Sequence, residues 1–319
     1  MNRVKRNVNL KKQLIQNNTY IILLILFFVC CALSDNFLTV MNIRNIALQQ
    51  AAPICVAIGI LFVVLTGGID LSVGSVMALG ACVSAILIMD YHINIFVAII
   101  ISMLLGAVLG AVTGFFVAYT KMQGFVASLA MMTMARGVAF MLTDGIPVKL
   151  DKGTLDFLVK KENGYPIIIL TFLIVLLFWF IQKYTFYGRI VIAIGSNSTA
   201  VELSGIRVKR YLTSVYAISG CLAGLAGIFI AARASTGSAT IGQGQELDAI
   251  TACVIGGASL AGGRGNVIKA VMGAFVLAFI GNIMNLMAVP SYPQDVIKGG
   301  IIIIAVLMQL FTEKSEKTV

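Results

Sequence analysis

The sequence predicts an all-α integral membrane protein of about ten transmembrane helices, with both termini in the cytoplasm. Composition is the first reason, because 59% of the 319 residues are apolar and only 11% are charged, whereas a soluble domain carries about 25% charged residues. The second reason is a series of apolar runs, many near the roughly 20 residues that a helix needs to cross a bilayer. The third is that basic residues flank these runs instead of forming one patch. The net charge of +10 therefore reflects membrane orientation, and we expect contact with lipid and none with nucleic acid.

Ten apolar runs are candidates for membrane spans. They lie near residues 18–34, 46–66, 71–89, 94–118, 124–142, 165–182, 211–232, 248–262, 267–287 and 295–311. Several runs are short enough to be broken or re-entrant, so eight spans with two re-entrant segments are an alternative that places the termini on the same side.

The basic residues predict which side of the membrane each end occupies. Residues 1–17 carry several basic residues and no acid, so the positive-inside rule keeps them in the cytoplasm. Alternation of the runs then places the polar loop 183–210 and the tail 312–319 on the same side. We therefore predict a cytoplasmic N-terminal segment, a transmembrane domain at 18–311 and a cytoplasmic tail.

Motifs of soluble enzymes are missing from the sequence. It contains no GxxxxGK[ST] phosphate loop, no HExxH, no GxSxG and no Cys/His metal set. The six cysteines lie in apolar runs, where we interpret them as small packed residues without disulfides. We therefore predict no catalytic residue, no metal and no cofactor in this chain.

The polar stretch from Tyr187 to Arg210 predicts a short capped helix mounted on a loop. Thr199 and Glu202 have the spacing of a capping box, in which each side chain satisfies a free backbone N–H at the helix start. Gly205 supplies the left-handed residue that ends many helices. Because so short a helix needs a neighbour to pack on, it is either an ordinary surface turn or a docking helix for a cytoplasmic partner.

A glycine-rich motif follows the second apolar run. Gly67 and Gly68 free the backbone from helical geometry, and Asp70 can then cap the next helix by accepting from N–H groups two or three residues on. Alternatively, Asp70 is a pathway or gating residue, because an ionisable group at membrane depth is a functional candidate. Ser72 adds a hydroxyl and Gly74 permits close helix approach, so both join the pathway candidates.

Residues 254–263 weakly repeat the pattern of residues 65–74. Each segment interrupts an apolar run with a Gly-Gly pair and leads into another run. Paired helix breaks mark the permeation path in many transporters, although a glycine-rich membrane sequence also produces such echoes by chance.

Three further polar residues fall inside apolar runs. A lone charge in a span is costly unless it is paired or faces a water-filled cavity, so Arg136 either pairs with a carbonyl end or Asp70, or contacts the substrate. Asn282 and Asn285 share a helix face, and they either bond between helices or contact a translocated ligand.

Two acidic residues stand at the start of the run near 248–262. Glu246 and Asp248 suit the dipole of a helix that begins on the external side. Capping is one interpretation of this pair, and contact with an external partner protein is the other.

Three stretches together resemble the membrane permeases of bacterial ABC importers for monosaccharides, of the ribose, xylose, arabinose and galactose type. They are Leu65–Ser75 (LTGGIDLSVGS), Gly195–Val208 (GSNSTAVELSGIRV) and Glu246–Gly265 (ELDAITACVIGGASLAGGRG). The resemblance extends over residues 36–310 and departs from the family at Ser198, where proline is common.

The resemblance implies a permease subunit of the bacterial cytoplasmic (inner) membrane that works by alternating access. It implies a permease homodimer, a separate cytoplasmic ABC ATPase that binds ATP and Mg, and a periplasmic or lipoprotein sugar-binding protein. It also makes Asn197–Gly205 similar to the coupling helix that sits in a groove of the ATPase. The residues given this role are Asn197, Thr199, Glu202, Leu203, Ser204 and Gly205.

The cargo and the energy source have alternatives at this point. Permeases that carry nucleosides or a furanose signalling molecule are similar, and the sequence does not specify a sugar. A stand-alone secondary carrier or channel would transport without ATP and without a stable ATPase partner. An intramembrane enzyme is disfavoured, because the sequence offers no nucleophile–base set.

Overall fold

The structure is a computed structural model that describes residues 18–151, 153–159 and 164–317. Almost all of its regular structure is helical. The elements are α1 (Asn18–Leu33), α2 (Val40–Leu65), α3 (Val73–Met89), α4 (Ile95–Thr120), α5 (Gly124–Thr143), β1 (Val148–Lys149), α6 (Asp156–Val159), α7 (Tyr165–Tyr184), α8 (Phe186–Leu203), α9 (Val208–Ala234), β2 (Thr236–Gly237), α10 (Gln245–Ile255), α11 (Val267–Leu286) and α12 (Ser291–Lys317). The two short strands pair antiparallel.

Each of the ten apolar runs falls on a helix. Six helices of the described chain, namely α2, α4, α5, α7, α9 and α11, are long and apolar enough to cross a membrane. The apolar helices α1 and α3 are shorter, with 16 and 17 residues. The class of helical integral membrane protein is therefore confirmed, while the count of ten spans and the sides of the termini stay predictions.

Two of the predicted boundaries are wrong. The run at 248–262 forms an 11-residue helix, α10, followed by a glycine-rich loop. The polar stretch 183–210 is mostly helical, because α8 begins at Phe186. The basic segment 1–17 lies outside the described residues, and α12 continues to Lys317, through most of the predicted tail.

Helix α2 occupies the centre of the bundle. Its span is 83% buried, and it packs against α7, α9, α10 and α11. Every residue from Val56 to Leu65 is buried. A helix that is apolar on all sides is stable only when other helices or lipid surround it, and here other helices do.

Helices α4 and α9 form the closest pair, because small residues let their backbones meet. A Cβ atom on Gly106 would overlap the Gly220 carbonyl oxygen, and one on Gly110 would overlap the Tyr216 carbonyl oxygen. Membrane helices commonly associate through such small-residue faces, since packing replaces the hydrophobic driving force in lipid.

The outer face of α4 carries large apolar side chains at every fourth position. Each is more than half exposed in the single chain: Phe96, Ile100, Leu104 and Val108. A stripe of this kind suits lipid or another membrane subunit.

The connections of the bundle divide into two ends. The segments 66–72 and 256–266 meet α8 at one end, which we call the junction end. Helix α2 ends at the junction end and helix α11 begins there. The connections 34–39 and 287–290, at the other ends of these two helices, therefore lie at the opposite end of the bundle.

Candidate functional site

The site begins with a kink in α8. Asn197 has φ −162° and ψ 92°, so a second short helix starts after it. The Asn197 side-chain oxygen accepts from the Ala200 N–H at 3.0 Å, which makes Asn197 the N-cap. The predicted capping pair of Thr199 and Glu202 is therefore wrong, because Thr199 already lies inside the helix. We call residues 197–205 the docking segment.

Gly205 ends the docking segment in the left-handed conformation that the sequence predicts. Its φ is +81°, and no atom lies within 4 Å of the position of a Cβ atom. The Gly205 N–H donates to the Glu202 carbonyl at 3.0 Å, and the Ile206 N–H donates to the Val201 carbonyl at 3.4 Å. This is a Schellman ending, and its requirement for glycine comes from backbone angle alone.

The docking segment has one packed side and one open side. Val201 is buried against the start of α8 and α9. Leu203 is 85% exposed, and the side chains of Thr199, Glu202 and Ser204 are exposed around it. A capped helix that presents a leucine among polar groups can bind a partner protein without rearranging its own fold.

Tyr187 fixes the other end of α8 to the bundle. Its hydroxyl bonds with the Ser214 hydroxyl at 2.7 Å, and its ring packs against Phe62 and Tyr211. Burial raises the pKa of Tyr187 to about 12, so the phenol keeps its proton throughout the physiological range. Helix α8 is thus held rigidly to α2 and α9.

Four glycines bring α8 against both helix breaks, in what we call the glycine junction: Gly67, Gly195, Gly262 and Gly263. The Gly263 N–H donates to the Leu65 carbonyl at 2.9 Å. A Cβ atom on Gly195 would overlap both of these backbone groups, and one on Gly262 would lie 3.0 Å from the Gly195 Cα. The segments 65–74 and 254–263, whose patterns echo each other in the sequence, therefore meet beneath the docking segment.

Asp70 accepts from the N–H two residues on, as the sequence predicts, but the N-cap of α3 is Ser72. One carboxylate oxygen accepts from the Ser72 N–H at 3.0 Å and from the Ser72 hydroxyl at 2.6 Å, while the other accepts from the Ser219 hydroxyl at 2.8 Å. Asp70 is 0% exposed. This carboxylate therefore joins the break to α9, and it cannot touch a ligand in this conformation.

The other residues of the first break are held by close packing. Gly67 has φ +78°, which favours glycine, whereas at Gly68 a Cβ atom would lie 2.7 Å from the Tyr216 hydroxyl oxygen. At Gly74 a Cβ atom would overlap Gly242 and the Glu246 carboxylate. Gly74 thus permits the close approach that the sequence predicts.

Arg136 and Glu246 lie near each other around the segment that precedes α10. The Arg136 guanidinium donates to the carbonyls of Ala239 and Ile241 at 2.5 and 2.7 Å, which confirms pairing with carbonyls instead of Asp70. Glu246 is only 7% exposed, beside Gly74. The Glu246 side chain is therefore covered in this conformation, and its contact with an external protein stays a prediction.

The remaining sequence candidates share one cavity at the opposite end. Asn282 exchanges two hydrogen bonds with Asn42, at 2.8 and 3.0 Å, and Asn285 accepts from Gln294 at 2.9 Å. Asp248 lies 4.0 Å from the Lys298 ammonium group. Bonding between helices is thus confirmed for both asparagines, which also line the cavity.

Sequence reasoning missed four further residues of this cavity, namely Gln49, Gln50, Arg233 and Gln245. The adjacent glutamines in an otherwise apolar run were the available signal, since lipid does not satisfy amides. Within the described residues, no cluster of three His, Cys, Asp or Glu side chains could hold a metal ion.

The described part of the chain is a bundle of apolar helices, with an exposed capped helix joined to two helix breaks, which is the architecture of a multi-pass membrane protein. This chain belongs to the family described as "Branched-chain amino acid transport system / permease component", whose family model matches residues 42–306.

Curated relatives cover nearly the whole chain. The ribose import permease protein of Escherichia coli K12 is 41% identical over 304 residues, covering 93% of this chain and 94% of the relative. The ribose import permease protein of Bacillus subtilis 168 is 40% identical over 292 residues, 90% of each chain. The L-arabinose transport system permease protein of E. coli K12 is 33% identical over 307 residues, 95% of this chain and 93% of the relative. The resemblance stated from the motifs is confirmed. No solved structure matches the chain.

Proposed function

We propose that this chain is the membrane permease of a bacterial ABC importer for ribose or a closely similar monosaccharide. The observation that carries the proposal is the docking segment, which presents Leu203 on one side, packs Val201 against α8 and α9 on the other, and follows Gly195 of the glycine junction by two residues. A partner that moves this segment would move both helix breaks with it. The names of relatives that match nearly the full chain support a sugar as cargo.

The partners follow from this mechanism. A separate ATPase binds ATP and Mg on the cytoplasmic face and receives the docking segments of two permease copies. An external binding protein, periplasmic or lipid-anchored, delivers the sugar. The chain lies in the cytoplasmic membrane, with the junction end inside, and it needs no cofactor of its own.

Reconstitution tests the proposal. The permease, its ATPase and its binding protein are placed in vesicles, and uptake of labelled D-ribose is measured with and without ATP. We expect ATP-dependent uptake that excess unlabelled D-ribose suppresses and excess leucine does not. Uptake that proceeds equally without ATP would instead indicate a secondary carrier, and competition by leucine alone would indicate an amino-acid permease.

A further inference from the structure

The cavity at the end opposite the glycine junction has about 270 Å³ of space, is open on one side, and is lined by a single chain. Five helices supply its walls: α2, α9, α10, α11 and α12. Drug-sized ligands occupy pockets of about 300–1,000 Å³, so this cavity suits a smaller molecule. Polar side chains form much of the lining, although only 11% of the chain is charged.

Some of these polar groups are already bonded, and they set the shape of the cavity. Asn282 is bonded to Asn42 across two helices, and Gln294 donates to Asn285 and to the Val289 carbonyl. Amides tied in this way hold their neighbouring helices in register. The walls are therefore built independently of any ligand.

Other polar groups face the same space without a partner. Within the described part of the chain, the side chains of Gln50, Arg233 and Gln245 make no hydrogen bond or ion pair. The nearest ion pair is the long one between Asp248 and Lys298, at 4.0 Å. These unpartnered groups are free to bond a molecule that enters.

The free groups match the chemistry of a neutral polyol. An amide both donates and accepts and a guanidinium only donates, whereas each sugar hydroxyl does both. No aromatic ring is found among the described residues that line the cavity, so a sugar would lack a stacking surface here. Hydrogen bonds without stacking give weak binding, which suits a site in a transporter that must release the sugar again.

We propose that this cavity is a low-affinity binding station for one monosaccharide inside each permease chain, contacted by Gln50, Arg233 and Gln245. The proposal rests on the proposed function and adds the place where the sugar pauses after leaving the binding protein. Each copy of the chain carries its own station.

Protection of an introduced cysteine tests occupancy without any need for transport. Ala278 lines the cavity, and none of the six native cysteines does. The purified Ala278→Cys permease is treated with a small water-soluble thiol reagent in the presence of rising D-ribose, and the parent chain gives the background. We expect D-ribose at millimolar concentration to slow the labelling of Cys at position 278, with leucine at the same concentration having no effect.

Substitutions of the free side chains connect the cavity to transport. In the complete reconstituted importer, we expect Gln50→Leu and Arg233→Met to lower the rate of D-ribose uptake about fivefold or more, the effect of losing one or two hydrogen bonds. ATP hydrolysis stimulated by the binding protein should continue, so less sugar enters per ATP. The matched control is Gln123→Leu, an exposed glutamine at the start of α5 whose side chain makes no cap bond.

The outcomes separate this inference from the proposed function. ATP-driven D-ribose uptake by the parent, together with ribose protection that Gln50→Leu removes, supports both. A second outcome is ATP-driven uptake by the parent without any protection by D-ribose, while Gln50→Leu and Arg233→Met transport like the control. This outcome overturns the binding station but leaves the proposed importer function intact. An assembled parent that transports neither D-ribose nor a closely similar monosaccharide such as L-arabinose refutes the proposed function, and the sugar assignment of the cavity falls with it.

Discussion

Asp70 shows how a carboxylate is kept in the middle of this bundle. Its two oxygens accept three hydrogen bonds from Ser72 and Ser219, and none of its surface is exposed. A buried charge is tolerated only when it is fully bonded in this way. Asp70 thereby ties the first helix break to α9. It stabilises the fold whether or not it also acts in transport.

Substitution of Asp70 should therefore reduce stability in a graded way. Asp70→Ala leaves buried donors unpaired, and each unpaired donor lowers the free energy of unfolding by about 1–3 kcal/mol. Asp70→Asn instead keeps one acceptor for Ser72 and offers Ser219 a donor. We expect the temperature at which half of the detergent-purified protein aggregates to fall most for Asp70→Ala and less for Asp70→Asn. The exposed Asp90→Ala is the control, and an Asp70→Ala protein as heat-resistant as this control would contradict the prediction.

Single residues were predicted well where local geometry alone determines them. The left-handed angle of Gly205 and the bond of Asp70 to the Ser72 N–H lie within two or three residues along the chain, so both follow from the local sequence. The bond of Asp70 to Ser219 does not, since 149 positions separate the two residues. The N-cap was misplaced because Asn197 and Thr199 are both good capping residues, and the kink that selects Asn197 depends on packing below it. Pairs such as Asn42 with Asn282, 240 positions apart, have no local signal.

At the scale of elements, different residues of the docking segment serve partner binding and folding. Leu203 projects from it, whereas Val201 packs beneath it. We expect Leu203→Ala to weaken co-purification of the ATPase by about tenfold, in the range of a contact worth more than 1 kcal/mol, without changing heat resistance. Val201→Ala should instead loosen the segment and lower both properties.

Ser198→Ala provides the matched comparison for this pair, because Ser198 is exposed on the same segment. It should behave like the parent in ATPase pull-down and in heating. Normal ATPase recovery with Leu203→Ala would place the docking surface elsewhere on the chain.

The contact between helices at the glycine junction could not be predicted from the sequence. Gly67, Gly195 and Gly262 are far apart along the chain, and only the folded bundle brings their backbones together. The repeat of the two Gly-Gly segments is visible in the sequence, but their mutual contact is not.

The junction can be tested with a single added methyl group. Gly195→Ala would push a Cβ atom into the Leu65 carbonyl and the Gly263 N–H, and overpacking of this kind costs about 1–3 kcal/mol. We expect ATP-driven uptake, normalised to the permease in the membrane, to fall at least about fivefold. Gly137→Ala is a matched control in a helix, since its Cβ atom would meet no other atom within 4 Å. Equal uptake by Gly195→Ala and this control would show that the junction tolerates separation.

At the scale of the whole molecule, the two ends of the bundle should face different compartments. Ser198 and Gln123 are exposed near the junction end, and Asp151 is exposed in the connection that follows β1 at the other. In intact cells, we expect an impermeant thiol reagent to label Asp151→Cys and to spare Ser198→Cys and Gln123→Cys. Permeabilised cells should show labelling at all three positions, and external labelling of Ser198→Cys would exclude an internal ATPase as partner of the docking segment.

The enclosed position of α2 has a consequence for how the protein is made. This helix leaves the ribosome early, yet the helices that surround it, α7, α9, α10 and α11, are synthesised later. During that interval its whole circumference must be solvated by lipid, which its uniformly apolar sequence from Val56 to Leu65 allows. The residues that form the centre of the finished bundle thus also act as a temporary lipid-facing surface. A polar substitution in this stretch would therefore be exposed to lipid during synthesis, before any partner helix exists to satisfy it.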